Sequence, residues 1–197
     1  FTEGTATLAK DGGEAAAYTS GTEISADGSY ALALTDAAGN VTTVNFTIDK
    51  VAPLAPVVGS VVDAGLYNAT QKATFAAVDG TTVAATLSKD GGQAVAYTSG
   101  TDIVEEGSYT LVVTATKTAN GLTTAKTVNF TIDKTNPTVA GLENAKVYTA
   151  AVAPTFTEGT ATLAKDGGEA AAYTSGTEIS ADGSYALALT DAAGNVT

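Results

Sequence analysis

Four aspartates stand where their carboxylates could bind a cation. Asp49 and Asp133 lie near the ends of two copies of the segment VNFTIDK, and Asp36 and Asp191 open two copies of the segment DAAGN. Calcium prefers carboxylate and carbonyl oxygens, and turns of this kind present both. The four aspartates are therefore candidate calcium ligands. The alternative is that each of them only caps a turn or lies in water.

No set of residues suited to catalysis is apparent. The chain has no His and no Cys, so it lacks the commonest general base and the commonest nucleophile. Glu105 and Glu106 are adjacent, and neighbours on a strand point to opposite faces, which makes them a poor acid–base pair. The segment KDGG lacks the Lys-Ser/Thr pair of a phosphate-binding loop. The sequence thus predicts a protein that is not an enzyme.

The chain is strongly acidic, with a formal net charge of −12 over 197 residues. Nucleic-acid binding needs basic patches that displace counterions, so we expect no nucleic-acid partner. An anionic membrane surface is an equally poor partner, and no apolar run is long enough for membrane insertion. Cys and Met, the readily oxidised residues, are absent. We therefore expect an extracellular protein, at a cell surface or in a secreted fibre.

Internal repeats organise the whole chain. Residues 1–42 and 156–197 are identical at an offset of 155 positions, and a weaker copy with the same KDGG, YTSGT, GSY and VNFTIDK segments lies between them. These segments predict three modules. A partial module of type A covers 1–50, a complete module of type B covers 51–134, and a type A module without its last strand covers 135–197.

Both ends of the chain fall inside a module, so we expect it to be a window on a longer array. Residues 1–50 lack what 135–155 supplies to the other type A module, and 156–197 lack the strand that 43–50 supplies to the first. An incomplete module exposes apolar surface and unpaired strand edges. We therefore expect neighbouring repeats of the same protein, arranged head to tail, to complete each partial module, from the same chain or another one.

Alternating apolar positions predict strands that tight turns connect. The inward positions of the two strands that end the first module are Tyr30, Leu32, Leu34, Val44, Phe46 and Ile48. KDGG predicts a hairpin because glycine tolerates a positive φ, and DAAGN does so with an Asp that can bond to the turn backbone. About seven strands per module predict an all-β fold: tandem immunoglobulin-like β-sandwich domains in a linear array.

The complete module should bury one set of apolar residues between two sheets. The predicted core comprises Phe75, Leu87, Val95, Tyr97, Tyr109, Leu111, Val113, Phe130 and Ile132. Tyr30, Tyr109 and Tyr185 each follow a turn and precede an inward Leu by two positions. This placement resembles a tyrosine corner, whose phenol bonds back to nearby backbone; the alternative is an ordinary core tyrosine.

The segment GSYALALTDAAGNVTTVNFTIDKVAP resembles the end of a bacterial immunoglobulin-like domain of the kind arrayed in large surface proteins and adhesins. The likeness rests on G-x-Y, DAAGN, FTIDK and the Pro that follows; the complete module has TKTANG in place of DAAGN. It implies the stalk or shaft of an extracellular bacterial surface fibre or adhesin, in which the modules act as spacers. It also implies calcium at the joints between modules.

A ligand-binding adhesion module, for a carbohydrate or a host surface, is the alternative function. Such platforms use exposed aromatic rings, and the chain has no Trp. Tyr67 and Tyr148, near the module starts, are the candidate rings. Identical modules repeated along a chain are better explained by a role in setting the length of the protein than by a role in recognising a ligand. Contact with another cell surface would then belong to other domains.

Overall fold

The computed structural model describes residues 1–197 and consists of strands and turns, without a helix. The all-β class predicted from the alternating pattern is confirmed. No element of the described chain is a helix with the length and apolar character needed to cross a membrane. The fourteen strands are β1 (Thr5–Lys10), β2 (Ala16–Tyr18), β3 (Gly28–Thr35), β4 (Val41–Ile48), β5 (Gly65–Tyr67), β6 (Gln71–Lys72), β7 (Thr81–Lys89), β8 (Val95–Ala96), β9 (Asp102–Ile103), β10 (Gly107–Lys117), β11 (Thr123–Ile132), β12 (Thr160–Lys165), β13 (Ala171–Tyr173) and β14 (Tyr185–Thr190).

The strands form four sheets, three of which share one order. These three run β2-β1-β3-β4, β8-β7-β10-β11-β5 and β13-β12-β14, and β6 pairs with β9 in the fourth. In the two identical segments the register is the same: Ala6 lies opposite Leu34, and Ala161 lies opposite Leu189. The same sequence thus pairs in the same way in both places.

Glycine turns set these registers, as the sequence predicts. In the first KDGG, Asp11 and Gly12 both have positive φ, of 52° and 72°, and the Gly13 N–H donates to the Lys10 carbonyl at 2.9 Å. Two central residues with positive φ are the mark of the hairpin turn whose twist matches that of the flanking strands. The equivalent Asp and Gly of the other two copies have φ values within a few degrees of these.

The complete module, 51–134, contains seven strands, the number that its turn spacing predicts. Its buried cluster takes residues from both of its sheets, the arrangement expected of a β-sandwich. The predicted core residues Tyr109, Leu111, Val113, Phe130 and Ile132 are buried, and Phe75, Leu87 and Tyr97 pack against them half-buried.

Val95 is the exception, and its predicted place in the core is wrong. Its side chain is 60% exposed. Val95 lies opposite Leu87, but β8 has two residues and forms the edge of its sheet. Alternation assigned Val95 to the correct face, but at this edge the core does not cover that face.

A smaller buried cluster forms in the last part of the chain. Ala161, Tyr173 and Leu189 are buried there, and Val139, Phe156, Leu163, Ile179 and Leu187 pack against them. Val139 comes from 135–155, the region without a counterpart in 1–50, whereas Phe156 is the equivalent of Phe1. Leu189 is fully buried in this cluster, whereas the identical Leu34 is half-buried.

By contacts the chain divides into two compact units. One comprises Phe1–Leu54, Asp79–Thr82 and Thr116–Thr124, and the other comprises the remaining residues. The tip of the β10–β11 hairpin thus belongs to the first unit. The division of the chain into modules 1–50, 51–134 and 135–197 stays a prediction.

Two sets of tyrosine hydroxyls form hydrogen bonds with backbone carbonyls close to them in the sequence. Tyr30, Tyr109 and Tyr185 donate to the carbonyl four residues earlier at 2.7–2.9 Å, as the resemblance to a tyrosine corner predicts. The tyrosine hydroxyls of the three YTSGT segments donate instead to the carbonyl four residues later in the chain. Sequence reasoning missed this second bond, although Tyr and Thr recur in YTSGT at that spacing.

Candidate functional site: the two joints

Two short segments, 49–53 and 133–137, lie at the predicted boundaries between modules, and we call them joint 1 and joint 2. Their sequences are DKVAP and DKTNP. Each begins with an Asx turn: Asp49 Oδ1 accepts the Val51 N–H at 3.1 Å, and Asp133 Oδ1 accepts the Thr135 N–H at 3.1 Å. The Pro at the fifth position fixes φ of that residue.

The tip of the β10–β11 hairpin holds joint 1. Asn120 Nδ2 donates to the carbonyl of Asp49 at 3.2 Å and to that of Val51 at 3.1 Å. Thr124 Oγ1 donates to the carbonyl of Pro53 at 2.7 Å. The first and the fifth residue of the joint are therefore both fixed, one by an amide and one by a hydroxyl.

The turn after β14 holds joint 2 with the same two bonds. Asn195 Nδ2 donates to the carbonyl of Asp133 at 2.9 Å, and Thr197 Oγ1 donates to that of Pro137 at 2.5 Å. Asn195 is 7% exposed, so its amide is shielded from water. The donors are four residues apart in joint 1 and two apart in joint 2. Two turns of different sequence thus bond the same two carbonyls.

The two joints differ in charge. In joint 1 the Lys117 ammonium lies 2.7 Å from the Asp49 carboxylate, and both side chains are about one quarter exposed, 29% and 25%. The hydrogen bond from Lys117, followed by the one from the Val51 N–H, lowers the pKa of Asp49 below its ordinary value. In joint 2 the residue that opens the turn is Asp191, and no lysine lies within ion-pair distance of Asp133.

Asp36 and Asp191 serve their own turns. Asp36 Oδ1 accepts the N–H groups of Ala38 and Asn40 at 2.9 and 2.8 Å, and Oδ2 accepts the Asn40 side chain at 2.8 Å. Asp191 bonds Asn195 in the same way. In each case the asparagine side chain is the largest cause of a lowered pKa of the aspartate.

Calcium at these aspartates stays a prediction. The structure brings Asp133 and Asp191 to joint 2 and pairs Asp49 with Lys117, while Asp36 remains in its own turn. No three Asp or Glu side chains of residues 1–197 are placed to share a metal ion. Calcium takes six to eight oxygen ligands, so carbonyls and water would have to supply most of them.

The lysine in each joint donates to a backbone carbonyl earlier in the chain. Lys50 Nζ donates to the carbonyl of Ser25 at 2.6 Å, and Lys134 Nζ donates to that of Val104 at 2.5 Å. Ser25 and Val104 occupy equivalent positions, five residues before the corner tyrosine. The two lysines thus anchor the joints rather than offset the charge of the aspartates.

Glu105 and Glu106 have separate partners. Glu105 binds the Lys89 ammonium at 2.9 Å, and this hydrogen bond lowers the pKa of Glu105 and raises that of Lys89. Glu106 accepts the Lys134 N–H and the Thr135 hydroxyl. Each carboxylate therefore has its own structural contacts, and the two do not act on a common point.

The two candidate recognition tyrosines close loops. The Tyr67 hydroxyl accepts the Val62 N–H at 3.0 Å, and the Tyr148 hydroxyl accepts the Glu143 N–H at 2.8 Å. Both rings are half-buried, and Tyr67 packs edge-on against Phe130 with centroids 6.2 Å apart. Both phenols are thus used within the fold, and carbohydrate binding at these rings stays a prediction.

No family model matches the chain. Over 68 residues the chain is 47% identical to an outer cell wall protein of Brevibacillus brevis strain 47. The match covers 33% of this chain and 7% of the Brevibacillus protein. The chain therefore spans only a small part of the length of that relative.

Proposed function

We propose that the chain belongs to the repetitive structural region of a bacterial cell-surface protein, in which tandem immunoglobulin-like modules act as spacers of a stalk or fibre. The observation that carries this proposal is the common bonding of the joints. In both, an asparagine amide binds the carbonyl of the Asp and a threonine hydroxyl binds that of the Pro. The similarity to a Brevibacillus outer cell wall protein supports a place at the cell surface.

A spacer has to keep its length, which requires joints that do not flex freely. Proline restricts one residue of each joint, and side-chain bonds hold the first and the fifth. A net hydrogen bond stabilises by about 0.5–1.5 kcal/mol, so two of them favour the closed joint by roughly 1–3 kcal/mol. Joints built for flexibility would instead carry Gly/Ser-rich linkers without fixed partners.

The test measures how length grows with the number of repeats. Strands β10 and β11 have 11 and 10 residues, and at ~3.3 Å per residue a module should add roughly 35–45 Å. A chain extended by one further 155-residue repeat should therefore gain about 70–90 Å in maximum dimension by small-angle X-ray scattering. A gain far below this value would contradict the proposal.

Variants of joint 1 test whether its hydrogen bonds restrict the joint. The double variant Asn120→Ala with Thr124→Val removes the hydrogen bonds from the hairpin tip to the carbonyls of joint 1 and keeps the Lys117–Asp49 salt bridge; it should broaden the distribution of lengths without loss of β-structure. Thr118→Val, on the same exposed hairpin tip, is the matched control and should leave the distribution unchanged. An unchanged distribution in the double variant would show that these bonds do not set the geometry of the joint.

A further inference from the structure

The asparagine that holds joint 1 is followed by a glycine. Asn120 and Gly121 form the one Asn-Gly pair of the sequence. In such a pair the amide nitrogen of the glycine can attack the side-chain carbon Cγ of the asparagine, because glycine has no Cβ to hinder the approach and its φ and ψ are little restricted. Asparagine followed by glycine is therefore especially prone to lose its side-chain amide. Joint 1 thus depends on a residue that is chemically labile by sequence.

Hydrogen bonds fix the Asn120 side chain at both of its polar atoms. Nδ2 donates to the carbonyl of Asp49 at 3.2 Å and to that of Val51 at 3.1 Å, and Oδ1 accepts the Leu122 N–H at 3.0 Å. The residue is half-buried. Attack on Cγ converts the planar amide into a tetrahedral centre and moves both polar atoms out of these directions. The closed joint, in which these bonds are made, therefore opposes the reaction.

The attacking nitrogen is engaged as well. The Gly121 N–H donates to the Lys117 carbonyl at 2.8 Å, and the turn holds Gly121 at a φ of 72°. The nitrogen attacks after losing its proton, and an amide proton in a backbone hydrogen bond reaches solvent base when that bond opens. Reaction at Asn120 thus requires local opening of the hairpin tip that holds joint 1.

We propose that Asn120 is a deamidation site that the closed joint 1 protects, and that its conversion leaves the joint open irreversibly. When the tip opens, the Gly121 nitrogen gives its proton to hydroxide or water and bonds to Cγ. The Cγ–Nδ2 bond breaks, and Nδ2 takes up a proton from water and leaves as ammonia. A cyclic imide remains. Water then adds to one of the two imide carbonyls and opens the ring, which gives aspartate or isoaspartate at position 120.

The product lacks the groups that hold the joint. A carboxylate has no donor, so the bonds to the carbonyls of Asp49 and Val51 are lost, and its charge faces their oxygens instead. The Lys117 ammonium already binds the Asp49 carboxylate at 2.7 Å and the Val51 carbonyl at 3.3 Å, so a second carboxylate would compete for it. Isoaspartate also adds a methylene to the backbone of the tip. Hydrolysis is not reversed, so open joints accumulate as the protein ages.

Joint 2 lacks this lability although its bonds are equivalent. Its asparagine, Asn195, precedes Val196, whose branched Cβ hinders attack by the backbone nitrogen. Asn195 is also 7% exposed. Ageing should therefore change joint 1 and leave joint 2 as it is. Joint 2 is the internal reference for the experiments.

Peptide mapping by mass spectrometry tests the protection, in chains incubated at mildly alkaline pH. The folded chain should deamidate at position 120 at least about tenfold more slowly than the chain unfolded in guanidinium chloride. Thr124→Val with Lys117→Met weakens joint 1 and keeps the Asn-Gly pair, so it should react about fivefold faster than the matched control, Thr118→Val with Lys126→Met. Equal rates in the folded and unfolded chain, or in the variant and its control, would overturn the proposal.

Limited digestion with trypsin tests the consequence. Trypsin cleaves after lysine, and Lys50 lies in joint 1 while Lys134 lies in joint 2. Asn120→Asp reproduces the product with almost the same side-chain shape. It should raise the rate of cleavage after Lys50 about fivefold and leave cleavage after Lys134 unchanged. Thr118→Val should change neither rate. An unchanged rate after Lys50, or an equal rise after Lys134, would contradict the opening of joint 1.

Discussion

Lys117 and Asp49 form a salt bridge of 2.7 Å between a hairpin tip and the joint that the tip holds. The residue that opens the corresponding turn at joint 2 is Asp191, which bonds Asn195 instead of a cation. The two joints therefore have equivalent hydrogen bonds but differ in charge. Joint 1 should loosen in acid when Asp49 is protonated and its salt bridge to Lys117 is lost.

Replacing Lys117 by Met should raise the pKa of Asp49 towards its ordinary value. The bond from Lys117 is the largest cause of the lowered pKa, and the Val51 N–H, the second cause, remains in the variant. A carboxylate whose pKa is lowered by folding stabilises the folded state above its unfolded pKa. That contribution is lost as the pH falls through the folded pKa. The loosening of joint 1 in acid should therefore begin at a higher pH in Lys117→Met.

NMR titration of the Asp49 carboxyl group measures this shift directly. Lys126→Met is the matched control, because Lys126 is an exposed lysine of the following strand that forms no salt bridge. It should leave the pKa of Asp49 where it is. An Asp49 pKa that is equal in the two variants would mean that Lys117 does not bind the carboxylate in solution.

Replacing Tyr97 by Phe should lower the free energy of unfolding by about 1–2 kcal/mol. The Tyr97 hydroxyl donates to the Thr101 carbonyl at 2.6 Å and accepts the Ala73 N–H at 3.0 Å, and Ala73 is fully buried. Phenylalanine would leave that buried N–H without a partner. Denaturation in urea, followed by hydrogen exchange of the Ala73 amide, measures the loss.

Tyr18→Phe is the control for the tyrosine substitution. Tyr18 occupies the same place in the first YTSGT, but its hydroxyl bonds only the Thr22 carbonyl, in an exposed position. Its removal should cost less than about 0.5 kcal/mol, as for most exposed sites. Equal losses in the two variants would show that the bond to Ala73 contributes nothing.

The sequence predicts most strands and turns of this fold because both signals are local. GSYALALT alternates and forms β3 over those eight residues, and each KDGG forms the turn that its Asp-Gly pair favours. Val95 is predicted wrongly because a period of two gives the face of a strand and not the extent of the layer that covers it. That extent depends on contacts far along the chain.

The joints could be predicted only in part, for the same reason. Repetition of the segment VNFTIDK locates Asp49 and Asp133 at the joints from the sequence alone. Their partners lie far away: Asn120 is 71 residues from Asp49, and Asn195 is 62 residues from Asp133. Spacing carries no signal for such a pair, and the two donors belong to turns of different sequence. Folding brings them together.

Calcium should act at joint 2 more than at joint 1. An added cation at joint 1 would compete with Lys117 for Asp49, whereas no lysine neutralises Asp133. We therefore expect calcium to raise the melting temperature, and Asp133→Asn with Asp191→Asn to remove the rise. Asp36→Asn with Asp49→Asn is the control and should keep it. Calorimetry with calcium and with a chelator measures both, and a melting temperature that does not respond to calcium would contradict the calcium prediction.

Replacing Gly107 by Ala should destabilise the complete module more than replacing Gly100 by Ala. Both glycines have positive φ, 145° and 83°, so both variants carry backbone strain of about 1–3 kcal/mol. At Gly107 an added Cβ would also lie 2.6 Å from Lys89 Cε and 2.9 Å from Asp90 Oδ1, whereas at Gly100 it would meet nothing within 4 Å. Asp90 Oδ1 cannot move without losing the Ser108 N–H at 2.8 Å, and Lys89 cannot move without disturbing its salt bridge to Glu105. The crowding should add about 1–3 kcal/mol to the loss in Gly107→Ala, seen as a lower urea midpoint together with a shifted Ser108 amide resonance. Equal midpoints for the two variants would show that the turn relaxes without cost and that this close approach does not contribute to stability.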